Sequence, residues 1–254
     1  MPESPSPALF IGKNLVELET ADSTNNHAKQ LLTNSTPIEG TAIMAHNQTA
    51  GRGQMGNTWQ TEPGKNLTVS FILYPDFLAA DKQFYLNMAV SLAVKECCES
   101  VLPDEVEIKW PNDIYYGDKK LAGILIENTI SGSSLSSSVI GIGLNVNQTQ
   151  FDPSLPNPSS LMLETGKEFN VKTLFASLAV YLEKYYLQLR QSHFNFLDRA
   201  YTEALYRYQQ THEFRKGAQV FKGEINGVSK DGKLIIHSAG KELRFAFKEV
   251  EFIL

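Results

Sequence analysis

Arg52, Lys109, Asp113 and Lys120 are the residues whose types and surroundings could do chemistry on an anion. Arg52 lies in Gly51-Arg52-Gly53-Gln54-Met55-Gly56, which reproduces the glycine spacing of a dinucleotide-binding turn, and Asp76 follows about 20 residues on, as that fingerprint asks. The match is false. The fingerprint needs a helix to begin at its third glycine, whereas Gly56 leads through Asn57, Thr58, Trp59 and Pro63-Gly64 into a strand-like segment. A glycine-rich loop between strands can still hold an anion on its backbone N–H groups, with Arg52 as a fixed cation. Taken alone, it reads equally well as a flexible turn.

The second segment is Lys109-Trp110-Pro111-Asn112-Asp113, followed by Lys119-Lys120-Leu121-Ala122-Gly123. With Gly117-Asp118 as a two-residue hairpin turn, Tyr116 opposes Lys119, Tyr115 opposes Lys120, and Asp113 opposes Ala122. Asp113, Tyr115 and Lys120 then share a face, with the backbones of Asp113 and Lys120 roughly 7 to 8 Å apart, and Lys119 points the other way. The plain alternative is a surface salt bridge worth ~0 to 1 kcal/mol. Asn145 and Asn147, after Gly141-Ile142-Gly143, sit where a strand exit could meet a ligand, although asparagine there is ordinary turn chemistry. The histidines at 27, 46, 193, 212 and 237 show no metal-ligand or nucleophile spacing and read as structural or surface residues.

These segments need a scaffold. Leu15 to Glu19 reads as a strand, and Asp22, Ser23 and Thr24 offer N-cap oxygens to a helix running to about Leu32. Thr41 to Ala45 is strand-like, residues 46–66 are loop by composition, and Leu67, Val69, Phe71 and Leu73 alternate as in a half-buried strand. Helical spacing over Asp81 to Cys98 predicts a core helix. Val106 to Trp110 is a strand stopped by Pro111, Ile114 to Tyr116 and Lys120 to Glu127 form the hairpin, and Ser138 to Asn145 is a further strand. A long loop with Pro153, Pro156 and Pro158 follows, then helices over about Val171 to Arg190 and Phe196 to Tyr208. From Lys216 short apolar runs alternate with Gly223, Gly227, Asp231-Gly232 and Gly240, as in a small all-β unit. So short a unit makes a marginal core alone and should pack on the larger region. The boundary falls near Thr211, giving 1–210 and 211–254.

Composition sets the outer limits. The 254 residues, 42% hydrophobic and 20% charged, describe a globular chain able to bury a sizeable core. A net charge of −5 argues against broad binding to nucleic-acid phosphates. The only cysteines, Cys97 and Cys98, are adjacent, which excludes a disulfide framework and a multi-cysteine zinc site and suits a reducing cytosol. Met1 to Leu9 lacks the pattern of a signal peptide, and no run approaches the ~18 apolar residues of a membrane span. A cytoplasmic protein without membrane partners is the expectation.

In order along the chain, Ser23-Thr24-Asn25, Gln48-Thr49-Ala50-Gly51-Arg52-Gly53, Lys109 to Asp113, Lys120 to Gly123 and Gly143-Leu144-Asn145-Val146-Asn147 resemble the biotin protein ligase family. The likeness spans about residues 10–208, and the tail is similar to the family's SH3-like C-terminal domain. It implies an α+β fold, a mixed β-sheet covered by helices and related to the catalytic domains of class II aminoacyl-tRNA synthetases, with a small SH3-like β-barrel behind it. The implied reaction joins ATP and biotin into biotinoyl-adenylate with release of pyrophosphate. A lysine of a biotin carboxyl carrier protein or domain then takes the biotinyl group.

By the same resemblance, Lys120, Arg52 and Asp113 are the catalytic residues. Biotin falls to Ser23, Thr24, Asn25, Gln48, Gly51, Arg52, Gly53, Gln54, Lys120 and Gly123, and ATP to Arg52, Trp59, Lys109, Asn112 and Asn145. The chemistry suits those types. Pressing a carboxylate against a phosphate joins two anions, so cations must meet the developing charge. Neutral Ser23, Thr24 and Gln48 suit a neutral ureido ring. Asp113 suits the phosphates' Mg2+, which prefers carboxylate and water oxygen. One departure is Gln54, where many members carry a second arginine that helps hold the acyl-adenylate. The nearest rival is a lipoate ligase, which shares fold and adenylate chemistry. A non-catalytic sensor that binds biotinoyl-adenylate and DNA is the other, but the first motif begins at Ser23 and leaves too few residues for an N-terminal DNA-binding domain. An exposed sheet edge would allow a homodimer, as is common in the family.

Overall fold

In the computed structural model, which describes residues 7–253, strand β1 (Leu15–Ala21) pairs in parallel with β2 (Ala42–Gln48), and helix α1 (Thr24–Asn34) makes the crossover a parallel pair requires. Residues 1–6 of the segment read for a leader, and Leu254, lie outside the described residues. Strand β3 (Leu67–Leu73) runs antiparallel to β2. All of β3 is buried, which corrects the half-buried expectation. Leu67, Val69, Phe71 and Leu73 face the main core, where Phe71 stacks on Phe175 with ring centroids 6.0 Å apart. Ile72 packs on the other side with Ala28 of α1. The polar residues that suggested a wet face are buried by bonding instead: Thr68 Oγ1 donates to the Ala45 carbonyl at 2.9 Å.

Helix α2 (Phe84–Glu99) starts three residues later than the periodicity proposes, after a single 3-10 turn over Ala80–Lys82. Strands β4 (Glu107–Lys109), β5 (Asp113–Tyr116), β6 (Lys119–Ser131) and β7 (Ser134–Leu144) complete a seven-stranded sheet of order β1-β2-β3-β7-β6-β5-β4. The loop after β7 contains a short helix that the sequence does not announce, α3 (Leu161–Thr165), capped by the Ser160 hydroxyl. Helix α4 (Val171–Arg190) matches its expected span, and its buried Glu183 carboxylate accepts the backbone N–H groups of Leu9, Phe10 and Ile11 at 2.7, 2.8 and 3.0 Å. Helix α5 (Phe194–Glu203) stops short of the expected Tyr208. The backbone leaves the helix because Ile108 on β4 takes it up: Ile108 N–H donates to Ala204 O, and Tyr206 N–H donates to Ile108 O.

Strands β8 (Thr211–Lys216), β9 (Gln219–Val228), β10 (Leu234–Ser238), β11 (Lys241–Phe245) and β12 (Glu251–Phe252) form a second, wholly antiparallel sheet of order β11-β10-β9-β8-β12. The architecture is therefore α+β, a mixed sheet with helices and a small β unit, as expected. Phe214, Ile225, Leu234, Ile236 and Phe245 fill the small sheet's interior. It docks tightly on the larger region. Trp110 Nε1 donates to Gly232 O at 3.0 Å, and a Cβ on Gly232 would come within 2.6 Å of the Phe84 ring. Cys97 and Cys98 are buried in α2 as free thiols, and burial pushes the Cys97 thiol up to about 12. No helix among the described residues is long and apolar enough to cross a membrane.

Candidate functional site

A cavity of about 670 Å³ lies over the middle of the large sheet. Its floor is β3 and β7, where Thr68, Gly141 and Gly143 contribute, and its two ends lie on opposite sides of those strands. One end is the start of α1 and the end of β2; the other is the β4–β5–β6 hairpin region. At ~4.8 Å per strand, β2 and β6 are roughly 14 Å apart, so the cavity suits an elongated ligand.

The first end is neutral and polar. Ser23 is buried at the N-cap position of α1, but its hydroxyl makes no capping bond, which corrects the expected cap and leaves the group to the cavity. Gln48 Oε1 accepts from Thr24 N–H at 2.8 Å and lies 3.1 Å from Thr24 Oγ1. Behind them, Ser70 Oγ lies 2.7 Å from Thr24 Oγ1 and 2.6 Å from Asn25 Oδ1. Burial of so many bonded polar groups fixes a hydrogen-bonding pattern that only a complementary ligand can satisfy.

The other end is cationic. Lys120 Nζ lies 2.7 Å from Asp113 Oδ1, and both side chains are little more than a quarter exposed. The hairpin turn at Gly117-Asp118 is as expected, with Tyr116 opposite Lys119 and Tyr115 opposite Lys120. The expected pairing of Asp113 with Ala122 is corrected. A bulge shifts the register, so that Ile114 faces Ala122 and Asp113 faces Gly123. Lys119 does point away, to Glu164 at 3.0 Å. Lys109 donates to the Tyr115 hydroxyl at 3.1 Å and lies over the rings of Tyr115 and Phe252, 4.7 and 5.3 Å from their centroids. Burial holds its pKa below the usual lysine value, with Lys120 and Arg207 working the same way against Asp113. Asn112 is buried and donates to Ile124 O.

The glycine-rich loop lies over the floor. No helix follows Gly56, only the 3-10 turn Gln54–Gly56 before it, so the phosphate-binding helix is indeed missing. Trp59 rests on the cross-strand pair Gly123 and Gly143: a Cβ on Gly143 would meet its Cε2 at 2.3 Å, and one on Gly123 its Cζ3 at 3.1 Å. Its Nε1 is buried with no protein partner. Arg52 bonds both oxygens of Glu127, at 3.1 and 3.2 Å, and Asn26 Oδ1 at 2.9 Å. Burial works to raise the Glu127 carboxyl, but hydrogen bonds from Lys29 and Asn25 and the charge of Arg52 outweigh it, so its pKa falls below the usual carboxylate value.

Of the residues singled out in the sequence, Ser23, Thr24, Asn25, Gln48, Arg52, Gly53, Gln54, Trp59, Lys109, Asn112, Asp113, Lys120 and Gly123 all line this cavity. Gly51 and Asn145 do not. Gly51 is buried against the Trp59 backbone, where a Cβ would meet the Trp59 carbonyl oxygen at 2.3 Å. Asn145 is buried behind the floor, donating to Ser159 O at 2.9 Å with Oδ1 unpaired. Sequence reasoning missed Ser70, Glu127 and the C-terminal residues Phe247, Lys248 and Phe252. Alternation along β6 could have found Glu127, which follows Gly123 and Leu125 at intervals of two.

Residues 17–145 match the model of the biotin/lipoate A/B protein ligase family. The chain is 38% identical over 142 residues to a bifunctional ligase/repressor BirA of Bacillus spizizenii, an alignment covering 56% of this chain and 43% of that one. It thus spans less than half of that relative's length. It is 28% identical over 235 residues to a biotin–[acetyl-CoA-carboxylase] ligase of Paracoccus denitrificans, covering 89% of this chain and 95% of that one. Among solved structures it is similar to the biotin protein ligase from Aquifex aeolicus in complex with biotin and ATP, with a TM-score of 0.78 and 26% identity over 94% of this chain and 98% of the other.

Proposed function

The chain belongs to the biotin/lipoate A/B protein ligase family, and from that premise we propose that it ligates biotin, through biotinoyl-5′-adenylate, to a lysine of a biotin carboxyl carrier protein or domain. One observation carries the reading: a single cavity has a buried, neutral, hydrogen-bonding end at Ser23, Thr24 and Gln48 and a cationic end at Lys109 and Lys120. A ureido ring fits the first and a carboxylate meeting a triphosphate fits the second. Lipoate offers no polar head to the first end. Its apolar dithiolane would leave the buried Ser23 hydroxyl, which makes no capping bond, without a partner, at ~1 to 3 kcal/mol.

In the first step a carboxylate oxygen of biotin attacks the α-phosphorus of ATP, the bond to the bridging oxygen breaks, and pyrophosphate leaves. Lys120 Nζ, steadied by Asp113, sits where it can neutralise the reacting carboxylate and the α-phosphate. Lys109 faces the leaving phosphates, its ammonium fixed between Tyr115 and Phe252. Trp59 and Arg52 bring the loop over the ligand and keep water from the mixed anhydride. In the second step the neutral ε-amine of the carrier lysine attacks the acyl carbon, AMP leaves, and the amide forms with loss of a proton.

No group of three or more His, Cys, Asp or Glu side chains among the described residues could hold a metal. Asp113 offers a carboxylate at the cationic end of the cavity, which suits Mg2+ arriving on ATP, because Mg2+ keeps most of its waters and takes one or two carboxylates. Asp113 would hold it, and bound there it would neutralise phosphate charge. The direct test is isotope exchange between pyrophosphate and ATP. Exchange that requires biotin and is lost in Lys120→Ala supports the reading, and exchange that ignores biotin refutes it.

A further inference from the structure

Glu127 lies in none of the sequence motifs, yet the two ends of the glycine-rich loop's function converge on it. Its Oε2 accepts from Asn25 Nδ2 at 2.9 Å, its two oxygens accept from the Arg52 guanidinium, and Lys29 Nζ pairs with Oε1. The carboxylate is only 19% exposed. Asn25 continues the chain of bonds: with one proton on each hydroxyl, its Oδ1 accepts from Ser70 Oγ, Ser70 Oγ accepts from Thr24 Oγ1, and the Thr24 backbone N–H donates to Gln48 Oε1. Gly141 keeps the path open: a Cβ there would lie 2.2 Å from Asn25 Oδ1. An unbroken run of hydrogen bonds thus joins the polar end of the cavity to the loop arginine. Within the loop itself Arg52 is tied at the backbone only by an isolated bridge to Thr58, so the guanidinium is fixed chiefly by Glu127 and Asn26. Lys29 and Arg52 together outweigh the one carboxylate by a unit charge, so the cluster stays cationic toward a phosphate.

We propose that Glu127 is a positioning residue that couples occupancy of the polar end to closure of the glycine-rich loop, by holding Asn25 and Arg52 in one hydrogen-bonded unit. The inference rests on the biotin-ligase reading of the cavity. Biotin bound against Thr24 and Asn25 adds its contacts to a unit that already holds Glu127 and Arg52 in bonded geometry, so its binding favours the closed loop with the guanidinium aimed. Arg52 is 41% exposed, but three partners converge on the one less exposed carboxylate and hold it better than a lone surface ion pair, whose two side chains are free to part.

Glu127→Gln keeps the shape but removes the charge and offers an amide N–H₂ where Arg52 or Lys29 needs an acceptor. Two quantities are read in the full-length chain: the KM for biotin in pyrophosphate exchange, and the rate of protease cleavage within residues 49–65 with and without biotin. The inference predicts that Glu127→Gln raises the KM on the order of tenfold, abolishes the protection that biotin gives the loop, and leaves the melting temperature nearly unchanged. In a double-mutant cycle with Arg52→Gln the two changes are strongly non-additive, Glu127→Gln adding little once the arginine is gone. Additive effects, or retained biotin protection in Glu127→Gln, overturn the coupling while wild-type exchange keeps the ligase reading intact. Absence of biotin-dependent exchange in the wild type instead overturns that reading. If Glu127→Gln does not fold, Glu127→Asp, which keeps the charge but draws it back by one methylene, is read the same way with the same direction expected.

Discussion

Lys120 and Asp113 form an ion pair 2.7 Å long although they are not cross-strand partners. The bulge between Ile114 and Tyr115 places Gly123, with no side chain, opposite Asp113, and Lys120 reaches over that gap. The pair is thus held beside the Trp59 ring, which rests on the side-chain-free strand at Gly123. Lys120→Ala is expected to lower the rate of biotinoyl-adenylate formation on the order of a hundredfold to a thousandfold, the effect of roughly 3 to 4 kcal/mol in the barrier. Lys119→Ala, which loses only the outward pair with Glu164, should stay within about threefold of the wild type. Pyrophosphate release measures both, and equal losses would remove the assigned roles.

Gly143 should tolerate no side chain while the loop is closed. Its Cβ would overlap the Trp59 ring by more than 1 Å, given the 2.3 Å approach to Cε2 and a van der Waals contact of about 3.5 Å. Gly143→Ala is therefore expected to prop the loop away from the sheet, leaving the melting temperature little changed. Limited proteolysis of residues 49–65 reports the change: cleavage becomes fast and ignores ligand. Persistent ligand protection would show that Trp59 does not seal the cavity by resting there.

Lys109 gives a pH dependence with a definite sign. Burial disfavours its ammonium, so in the free protein it loses its proton at lower pH than an ordinary lysine. Rising pH should then depress kcat/KM for ATP through that lowered pKa, whereas kcat, measured with phosphates bound beside the ammonium, should fall only at higher pH. Lys109→Arg, which stays charged, should remove the limb. For folding the sign is reversed. A lysine with a depressed folded pKa carries its burial penalty at low pH, so this group's contribution to stability rises as pH climbs from its folded pKa to its unfolded value.

Gln54 lines the cavity from the loop and brings no charge. Gln54→Arg is expected to slow release of preformed biotinoyl-adenylate several-fold to about thirtyfold, the effect of one charge-assisted contact of ~1 to 2 kcal/mol. Stopped-flow release compares the two forms. Equal rates would mean that Arg52 and Lys109 already saturate the adenylate's charge.

How much of this was legible in the sequence depends on the range of the interaction concerned. The hairpin turn at Gly117-Asp118 is local, and its chemistry fixed the Tyr115–Lys120 pairing. The bulge just beyond it depends on packing Leu121 and Ala122 into the core together, both fully buried, and alternation alone gave no hint of it. Strand β3 read as half wet because Thr68 and Ser70 are polar, yet both are buried by bonds to other elements. Glu127 was visible in the period of β6, but nothing local told it from an ordinary exposed carboxylate. Phe252 was out of reach altogether, since only docking of the small sheet brings it over Lys109.

The central claim is that this cavity activates biotin and passes it to a carrier lysine. It is tested most directly by incubating the protein with ATP, Mg2+, a biotin carboxyl carrier domain, and biotin and lipoate in equal amounts, and weighing the carrier by mass spectrometry. The account predicts that the carrier gains the mass of one biotinyl group, that the gain requires ATP, that Lys120→Ala abolishes it, and that lipoyl addition is negligible. A carrier that remains unmodified, or one that gains lipoyl instead, would contradict it.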